Sequence, residues 1–158
     1  MQRLLIKGKK LLSGNISISG SKNAALPILA ATILSDETVI KNIPLVKDIF
    51  TMTELLNFIG LRTKIDKKNN LIKIKNNKKS LNTVAPYKLV KTMRAGVLVL
   101  GPLLAKYKKA KVSLPGGCAI GTRPVDLHLY ALKKFGANIK IKNGYIYASA
   151  LNGLSGTK

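Results

Sequence analysis

The sequence has few acidic, aromatic or metal-binding side chains: its 158 residues include six Asp and Glu, no Trp, one Cys and one His. A single Cys excludes an intrachain disulfide. One Cys and one His are also too few for a Cys/His metal site, so we expect no metal and no other cofactor. A lone thiol suits a reducing cytoplasm.

Long apolar segments and targeting signals are absent as well. The two longest apolar runs, residues 24–34 and 96–105, contain 11 and 10 residues, which is too short to cross a bilayer. The first ten residues, MQRLLIKGKK, have neither the apolar region nor the cleavage pattern of a signal peptide. The sequence therefore predicts a soluble, cytoplasmic protein with no membrane partner.

What the sequence has in excess is positive charge: 28 Lys and Arg give a formal net charge of +22. Such a charge attracts phosphates, nucleic acid and anionic membranes. However, 24 of these residues are Lys and they are spread along the chain. Lys is poorer than Arg at bidentate recognition of phosphate. We therefore expect a solvated lysine surface and no nucleic-acid partner, with a basic anion-binding module as the alternative.

One pattern occurs twice, 76 residues apart, at 54–65 and 130–141. Each copy has the end of a helix, a glycine (Gly60 or Gly136) and a short alternating strand, followed by a turn and a second strand. Glycine just beyond a helix enters the left-handed region without steric cost. In the second copy, Asn143 and Gly144 predict a type I′ hairpin turn.

An apolar helix that leads into a strand is predicted ahead of each copy. The helices are expected at 22–35 and 87–106, and the strands at 37–43 and 110–114. A helix that is apolar on nearly all sides is buried, and Pro102 is expected to kink the second one. The sequence therefore predicts an α/β fold of about two repeated units, at about 20–82 and 83–150.

The other helix of each unit has the spacing of an amphipathic helix. In the first unit the apolar stripe consists of Ile49, Met52, Leu55, Leu56 and Ile59. In the second unit the stripe is less regular and consists of Leu127, Tyr130, Ala131, Lys134 and Phe135, filled in by Leu129 and Leu132. Both patterns predict helices with one buried face.

Two cationic positions stand where polar sequence turns into a buried helix. Lys22, followed by Asn23, precedes the first of these helices, and Arg94 precedes the second. The start of a helix favours an anion and opposes a lysine, so Lys22 predicts a bound anion. The alternatives are a solvent-exposed Lys22 with Asn23 as the N-cap, and a surface Arg94 with no ligand.

The only cysteine lies in a glycine-rich stretch, LPGGCAIGTRPVDLH, at 114–128. Arg123 and the helix expected from Pro124 onward give Cys118 the surroundings of a reactive thiol, which serves as a nucleophile or a proton donor. Pro124 is expected at the first helical position and Asp126 in the first turn. A nucleophilic pair between Cys118 and His128 is a less favoured alternative.

Several of these cations are expected at the starts of helices. They are Lys22, Lys47, Arg94 and Arg123. If the starts lie on one rim of the fold, these side chains form a pocket for a phosphorylated small molecule beneath the loop that carries Cys118.

Four stretches resemble one family: GSKNAALPILAA, PYKLVKTMRAG, LPGGCAIGTRPVDLH and FGANIKIKNGYIYAS. They are similar to the enolpyruvyl transferases of peptidoglycan synthesis, the UDP-N-acetylglucosamine 1-carboxyvinyltransferases, from Leu5 to Leu154 and in the same order. The shikimate-pathway enolpyruvyl transferases are a less favoured match, because they are expected to have Ser-Lys-Ser at the first motif and they lack the PGGC loop.

The resemblance implies transfer of the enolpyruvyl group of phosphoenolpyruvate to the 3′-hydroxyl of UDP-N-acetylglucosamine, with release of phosphate. This is the first committed step of peptidoglycan synthesis, and it implies roles in cell-wall biogenesis, cell shape and cell division. The implied fold is an inside-out α/β barrel of βαβαββ units with buried helices, of which this chain contains an incomplete set.

The resemblance also assigns roles to particular residues. Cys118 is implied to be the general acid that protonates the methylene carbon of phosphoenolpyruvate. Lys22 and Asn23 are implied to contact phosphoenolpyruvate, and Arg94 the nucleotide sugar. The run Arg123, Pro124, Val125, Asp126 and Leu127 is implied to line the nucleotide-sugar site, with Arg123 also near the phosphate.

Members of this family are considerably longer than 158 residues. The resemblance therefore implies that residues 1–19 form strands that join an absent second domain and that residues 20–158 form part of the first. We expect no transferase activity from this chain alone, and a complementing C-terminal fragment as a partner where the gene is split. A non-catalytic remnant is the alternative.

Overall fold

The computed structural model describes residues 3–9, 11–76, 81–116 and 124–156. Its first unit consists of α1 (Lys22–Ala31), a 3₁₀ turn (Thr32–Leu34), β1 (Glu37–Ile40), α2 (Lys47–Ile59), β2 (Arg62–Asp66) and β3 (Leu71–Lys75). Its second unit consists of β4 (Val84–Ala85), α3 (Tyr87–Val90), a 3₁₀ helix (Arg94–Val99), α4 (Leu100–Tyr107), β5 (Lys109–Ser113), α5 (Asp126–Lys134), β6 (Asn138–Lys142) and β7 (Tyr145–Ser149).

The strands form two sheets with related topology. The first has the order β1-β3-β2 and is entirely antiparallel. The second has the order β4-β5-β7-β6; β5, β7 and β6 are antiparallel in the same arrangement, and β4 adds to β5 in parallel. The predicted α/β fold of repeated units is therefore confirmed.

The turns between paired strands follow the local sequence. Asn143 and Gly144, between β6 and β7, have φ values of 51° and 73°. Positive φ at both positions is what a type I′ hairpin requires, and it is why Asn-Gly is favoured there. Gly60, directly after α2, has a φ of 120°, and its N–H donates to the Leu56 carbonyl. The predicted helix end and hairpin are confirmed.

The amphipathic stripe of α2 forms the centre of the core. All five predicted residues, Ile49, Met52, Leu55, Leu56 and Ile59, are 0% exposed. They pack with Leu29 and Ile33 from the segment before β1 and with inward-facing Ile72 and Ile74 of β3. Alternate residues of β3 point to opposite faces, so Lys73 and Lys75 lie on the exposed face of the sheet.

The prediction for α5 is only partly right. Leu129 is buried, whereas Leu127 and Tyr130 are 78% and 61% exposed. The helix packs against β6 and lies beside the segment that contains the 3₁₀ helix and α4. Helical spacing identified an apolar surface, but the packing of the neighbours leaves part of that surface in solvent.

The sequence predicted one continuous helix over 87–106, but the structure divides this segment into three. α3 ends at Val90, the chain turns at Lys91–Thr92, and the 3₁₀ helix then leads into α4. Gly96 lies against Val90, where an added Cβ would be 3.2 Å from both Val90 methyl groups. Pro102 is the third residue of α4, where its missing N–H breaks no hydrogen bond of that helix. α4 runs from Leu100 to Tyr107 through this position, and the kink expected at Pro102 stays a prediction.

Asn76 connects the two units. Its backbone N–H donates to the Asp36 carbonyl over 2.7 Å. Its side-chain Nδ2 donates to the Ile33 carbonyl over 3.0 Å and to the Tyr107 hydroxyl, at the end of α4, over 3.4 Å. These bonds link the end of β3 to the ends of both apolar segments, whereas the buried Oδ1 of Asn76 has no hydrogen-bond partner among the described residues.

The segment before α1 was expected to form strands, but residues 3–9 and 11–19 contain neither helix nor strand. Its apolar side chains are 82% to 102% exposed: Leu4, Leu5, Ile6, Leu11, Leu12, Ile16 and Ile18. Among the described residues, no helix combines the length and the apolar character that a membrane span requires.

We predict that Leu56→Ala lowers the free energy of unfolding by about 2–5 kcal/mol, because it removes a fully buried side chain from the centre of the core. Leu151→Ala is the matched control, since Leu151 is 79% exposed and its truncation should cost less than about 0.5 kcal/mol. Denaturant unfolding of both variants tests this, and equal costs would contradict the assigned core.

A second prediction concerns the turn between β2 and β3. The carboxylate of Asp66 accepts hydrogen bonds from the Asn69 side chain and from the backbone N–H groups of Asn69 and Lys68, which lowers the pKa of Asp66. Asn69→Ala should raise this pKa toward its ordinary value, and an NMR titration measures it.

The direction of the pH dependence follows from this lowered pKa. The stabilising contribution of Asp66 is fully present above its unfolded-state pKa and is lost as the pH falls through the folded-state pKa. Asn69→Ala should therefore reduce stability at neutral pH and have less effect in strong acid. An Asp66 pKa unchanged by the substitution would contradict the assignment.

Candidate anion-binding site

In the first unit, the starts of α1 and α2 lie beside each other. The Gly20 N–H donates to Asn42 Oδ1 over 3.1 Å, which brings the residue before the α1 N-cap next to the loop after β1. That loop leads directly into α2. The Gly20 position tolerates no side chain, because an added Cβ would overlap the Asn42 carbonyl oxygen.

Lys22 is the first residue of α1 and forms an ion pair with Asp48, the second residue of α2. Lys22 Nζ lies 2.8 Å from Asp48 Oδ2, and the two side chains are 47% and 32% exposed. The carboxylate lies in the first turn of α2, where the helix dipole favours negative charge. It also supplies the anion that a lysine at the start of α1 needs.

The N-cap of α1 differs from the alternative that the sequence suggested. Ser21 is the N-cap, and its Oγ accepts a hydrogen bond from the Ala24 N–H over 3.4 Å. Asn23 is the second helical residue and is exposed. Lys22 and Asn23 therefore both project from the first turn of α1.

The two apolar helical segments run in the same direction. α1 packs against the 3₁₀ helix that begins at Arg94, and the 3₁₀ turn after α1 packs against α4. Their starts therefore lie at one end of the molecule, and Arg94 is at the same end as Lys22 and Lys47. Arg94 is exposed, and within the described ranges it forms no ion pair.

The chain that leads into the Cys118 loop passes close to this end. An added Cβ on Gly116 would lie 2.7 Å from the Lys91 carbonyl oxygen, three residues before Arg94. Cys118 and Arg123 themselves lie outside the described residues. Leu114, before the loop, donates its N–H to the Gly144 carbonyl over 2.8 Å, which ties β5 to the turn after β6.

On the far side of the loop, the structure corrects the expected helix start. α5 begins at Asp126, with Val125 as the N-cap, so Pro124 lies two residues before the first helical position. Asp126 is in the first turn as predicted. Val125 is buried, whereas Pro124, Asp126 and Leu127 are exposed.

His128 is also exposed and lines an apolar groove of about 250 Å³ between α5 and the segment that contains the 3₁₀ helix and α4. The other lining residues are Val97, Leu98, Leu100, Gly101, Ala131, Leu132 and Phe135. This apolar lining offers no polar partner to the imidazole. Nothing here adds support for His128 as a partner of the thiol.

At this end of the molecule, cationic side chains lie at exposed helix starts, where the unpaired backbone N–H groups also point outward. This arrangement can hold a phosphate or a carboxylate. Asp48 was not among the site residues predicted from the sequence. An acidic residue in the first turn of α2, directly after Lys47, was the available signal.

Comparison with known families now defines the class of the protein. The family model for EPSP synthase (3-phosphoshikimate 1-carboxyvinyltransferase) matches residues 6–158. The chain belongs to this family. Two solved structures show the same fold: the enolpyruvyl transferase NikO from Streptomyces tendae and EPSP synthase from Acinetobacter baumannii.

The two structural matches support the fold alone. NikO has a TM-score of 0.75 at 19% identity and covers 91% of this chain and 31% of its own. The EPSP synthase has a TM-score of 0.59 at 17% identity and covers 86% of this chain and 32% of its own.

Within the family, the chain is similar to curated proteins named UDP-N-acetylglucosamine 1-carboxyvinyltransferase. The relative from Pelagibacter ubique is 59% identical over 157 residues, and that from Endomicrobium trichonymphae is 53% identical over 157 residues; both alignments cover 99% of this chain. The relative from Sulfurovum sp. is 54% identical over 159 residues. The chain spans about 37% of the length of these relatives.

We predict that Gly116→Ala destabilises the fold by about 1–3 kcal/mol, because the added methyl group would press on the Lys91 backbone. Gly156→Ala is the matched control, since an added Cβ there meets nothing within 4 Å. Thermal unfolding of both variants tests this. Equal stability of the two variants would show that the loop does not pass against Lys91.

Proposed function

We propose that this chain forms part of an enzyme that transfers the enolpyruvyl group of phosphoenolpyruvate to the 3′-hydroxyl of UDP-N-acetylglucosamine and releases phosphate. The observation that carries the proposal is the 53–59% identity, over essentially the whole chain, to curated proteins named for this activity. The position of the helix starts and their cations at one end of the molecule supports this proposal, because both substrates carry phosphate groups.

The assignment of substrates to residues follows the family resemblance, and the positions of the helix starts support it. Lys22 and Asn23 project from the first turn of α1 and suit the phosphate and carboxylate of phosphoenolpyruvate. Arg94 begins the neighbouring 3₁₀ helix and suits the nucleotide sugar. Residues 123–127, which connect the loop to α5, are assigned to the nucleotide-sugar site.

Cys118 is assigned the role of general acid. Protonation of the methylene carbon of phosphoenolpyruvate makes the adjacent carbon electrophilic, and the sugar 3′-hydroxyl then attacks that carbon and releases its own proton. Loss of phosphate and of a proton from the new methyl group restores the double bond. A thiol with its ordinary pKa of about 8.5 is a suitable proton donor near neutral pH.

The cations at the helix starts contribute electrostatic stabilisation. They offset the negative charge of phosphoenolpyruvate and of the departing phosphate. Closure of the loop over the substrates would exclude water and bring the thiol to the methylene carbon. Phosphoenolpyruvate and UDP-N-acetylglucosamine are both soluble molecules, so we assign the protein to the cytoplasm.

The test replaces the matching portion of the Pelagibacter ubique relative with this chain and measures phosphate release from phosphoenolpyruvate and UDP-N-acetylglucosamine. We expect the chimera to turn over, and the 158-residue chain alone to show no turnover. Cys118→Ala in the chimera should lower kcat by about 10²–10⁴-fold, the usual contribution of a general acid.

The chimera also needs a control that separates catalysis from folding. Leu151→Ala changes an exposed residue outside the assigned site and should leave kcat unchanged. A folded chimera without turnover, or one in which Cys118→Ala retains full activity, would refute the proposal.

A further inference from the structure

We propose that Asp48 is a positioning residue, which holds the Lys22 ammonium group at the start of α1 so that it faces an incoming phosphate or carboxylate. The observation is the 2.8 Å ion pair between Lys22 Nζ and Asp48 Oδ2, which joins the starts of two different helices. The identity of the anion as phosphoenolpyruvate rests on the proposed function, whereas the role of Asp48 toward Lys22 does not.

Lys22 needs such a partner for electrostatic reasons. As the first residue of α1 it lies at the positive end of the helix dipole, which repels the ammonium group. Asp48 is the second residue of α2, so the dipole of its own helix stabilises the carboxylate. In the pair, each charge therefore compensates the other. The contact also fixes the position of the ammonium group at the end of the flexible Lys22 side chain.

This ion pair differs from the other two that occur among the described residues. Lys75–Glu37 and Lys106–Asp36 have N–O distances of 3.1 Å and 3.8 Å, and their carboxylate side chains are 55% and 94% exposed. Asp48 is 32% exposed and forms the shortest contact of the three. A less exposed carboxylate loses less of its attraction to screening by water.

The pair leaves Lys22 able to bind a ligand. An ammonium group has three N–H donors, and a single contact with Asp48 occupies one of them. The remaining donors stay available at the end of the molecule where Arg94 and Lys47 also lie. Asp48 is therefore assigned to orientation of Lys22 rather than to contact with the substrate.

The first experiment measures the reactivity of Lys22 and is independent of the proposed function. The 158-residue chain is acylated with a limiting amount of an amine reagent, and the rate at Lys22 relative to Lys64 is obtained by mass spectrometry. Asp48→Asn should raise this ratio about two- to fivefold. An exposed ion pair stabilises the unreactive ammonium form of the lysine by a factor of about this size.

Glu54→Gln is the matched control. Glu54 lies on α2, is exposed, and forms no ion pair among the described residues, so the substitution removes the same charge from the same helix. It should leave the ratio unchanged. Equal ratios for Asp48→Asn and the unmodified chain, or an equal rise with Glu54→Gln, would overturn the proposal.

The second experiment measures protection of Lys22 by phosphoenolpyruvate in the chimera with the Pelagibacter ubique relative. The concentration that gives half-maximal protection should rise about fivefold in Asp48→Asn, and Asp48→Glu should restore most of the affinity. Tighter protection in Asp48→Asn would show that Asp48 competes with the anion, which would overturn the positioning role. Absence of protection in the unmodified chimera would count against the proposed function alone, because the reactivity test still decides the role of Asp48.

Discussion

The contact between the apolar helices of the two units is the constraint on which the rest of the structure depends. α1 packs against α2 and against the 3₁₀ helix, and α4 packs against the turn that follows α1. Leu29, Leu56 and Leu103 are 0% exposed in this core. Because these helices occupy the interior, each sheet has only one buried face, and lysines such as Lys73 and Lys140 lie on the outer faces.

The same packing decides where the charges of the functional site lie. Since the buried helical segments run in one direction, their starts and their cations share one end of the molecule. Without a compensating anion, the positive helix starts at that end would repel the lysines located there. Asp48 supplies this anion to Lys22, and the ion pair orients the ammonium group without covering the helix starts.

Much of the fold could be predicted because its determinants are local. Positive φ is required in the turn at Asn143 and Gly144 and at the glycine after α2. Asn and Gly are the residue types that adopt it most readily, so the sequence alone indicates these turns. The stripe on α2 predicted its buried face because the helix has core on that whole side. For α5 the same argument failed at Leu127 and Tyr130, because periodicity shows which residues share a face but not which neighbour covers it.

The sequence by itself determined the repeated α/β unit, the hairpin turns, and the candidate cations at helix starts. Tertiary structure alone decided that Lys22 pairs with Asp48, 26 residues later, and that the second apolar segment breaks between Val90 and Arg94. The physical reason is that helix periodicity and turn chemistry act within a few residues, whereas an ion pair between two helix starts depends on how the helices pack.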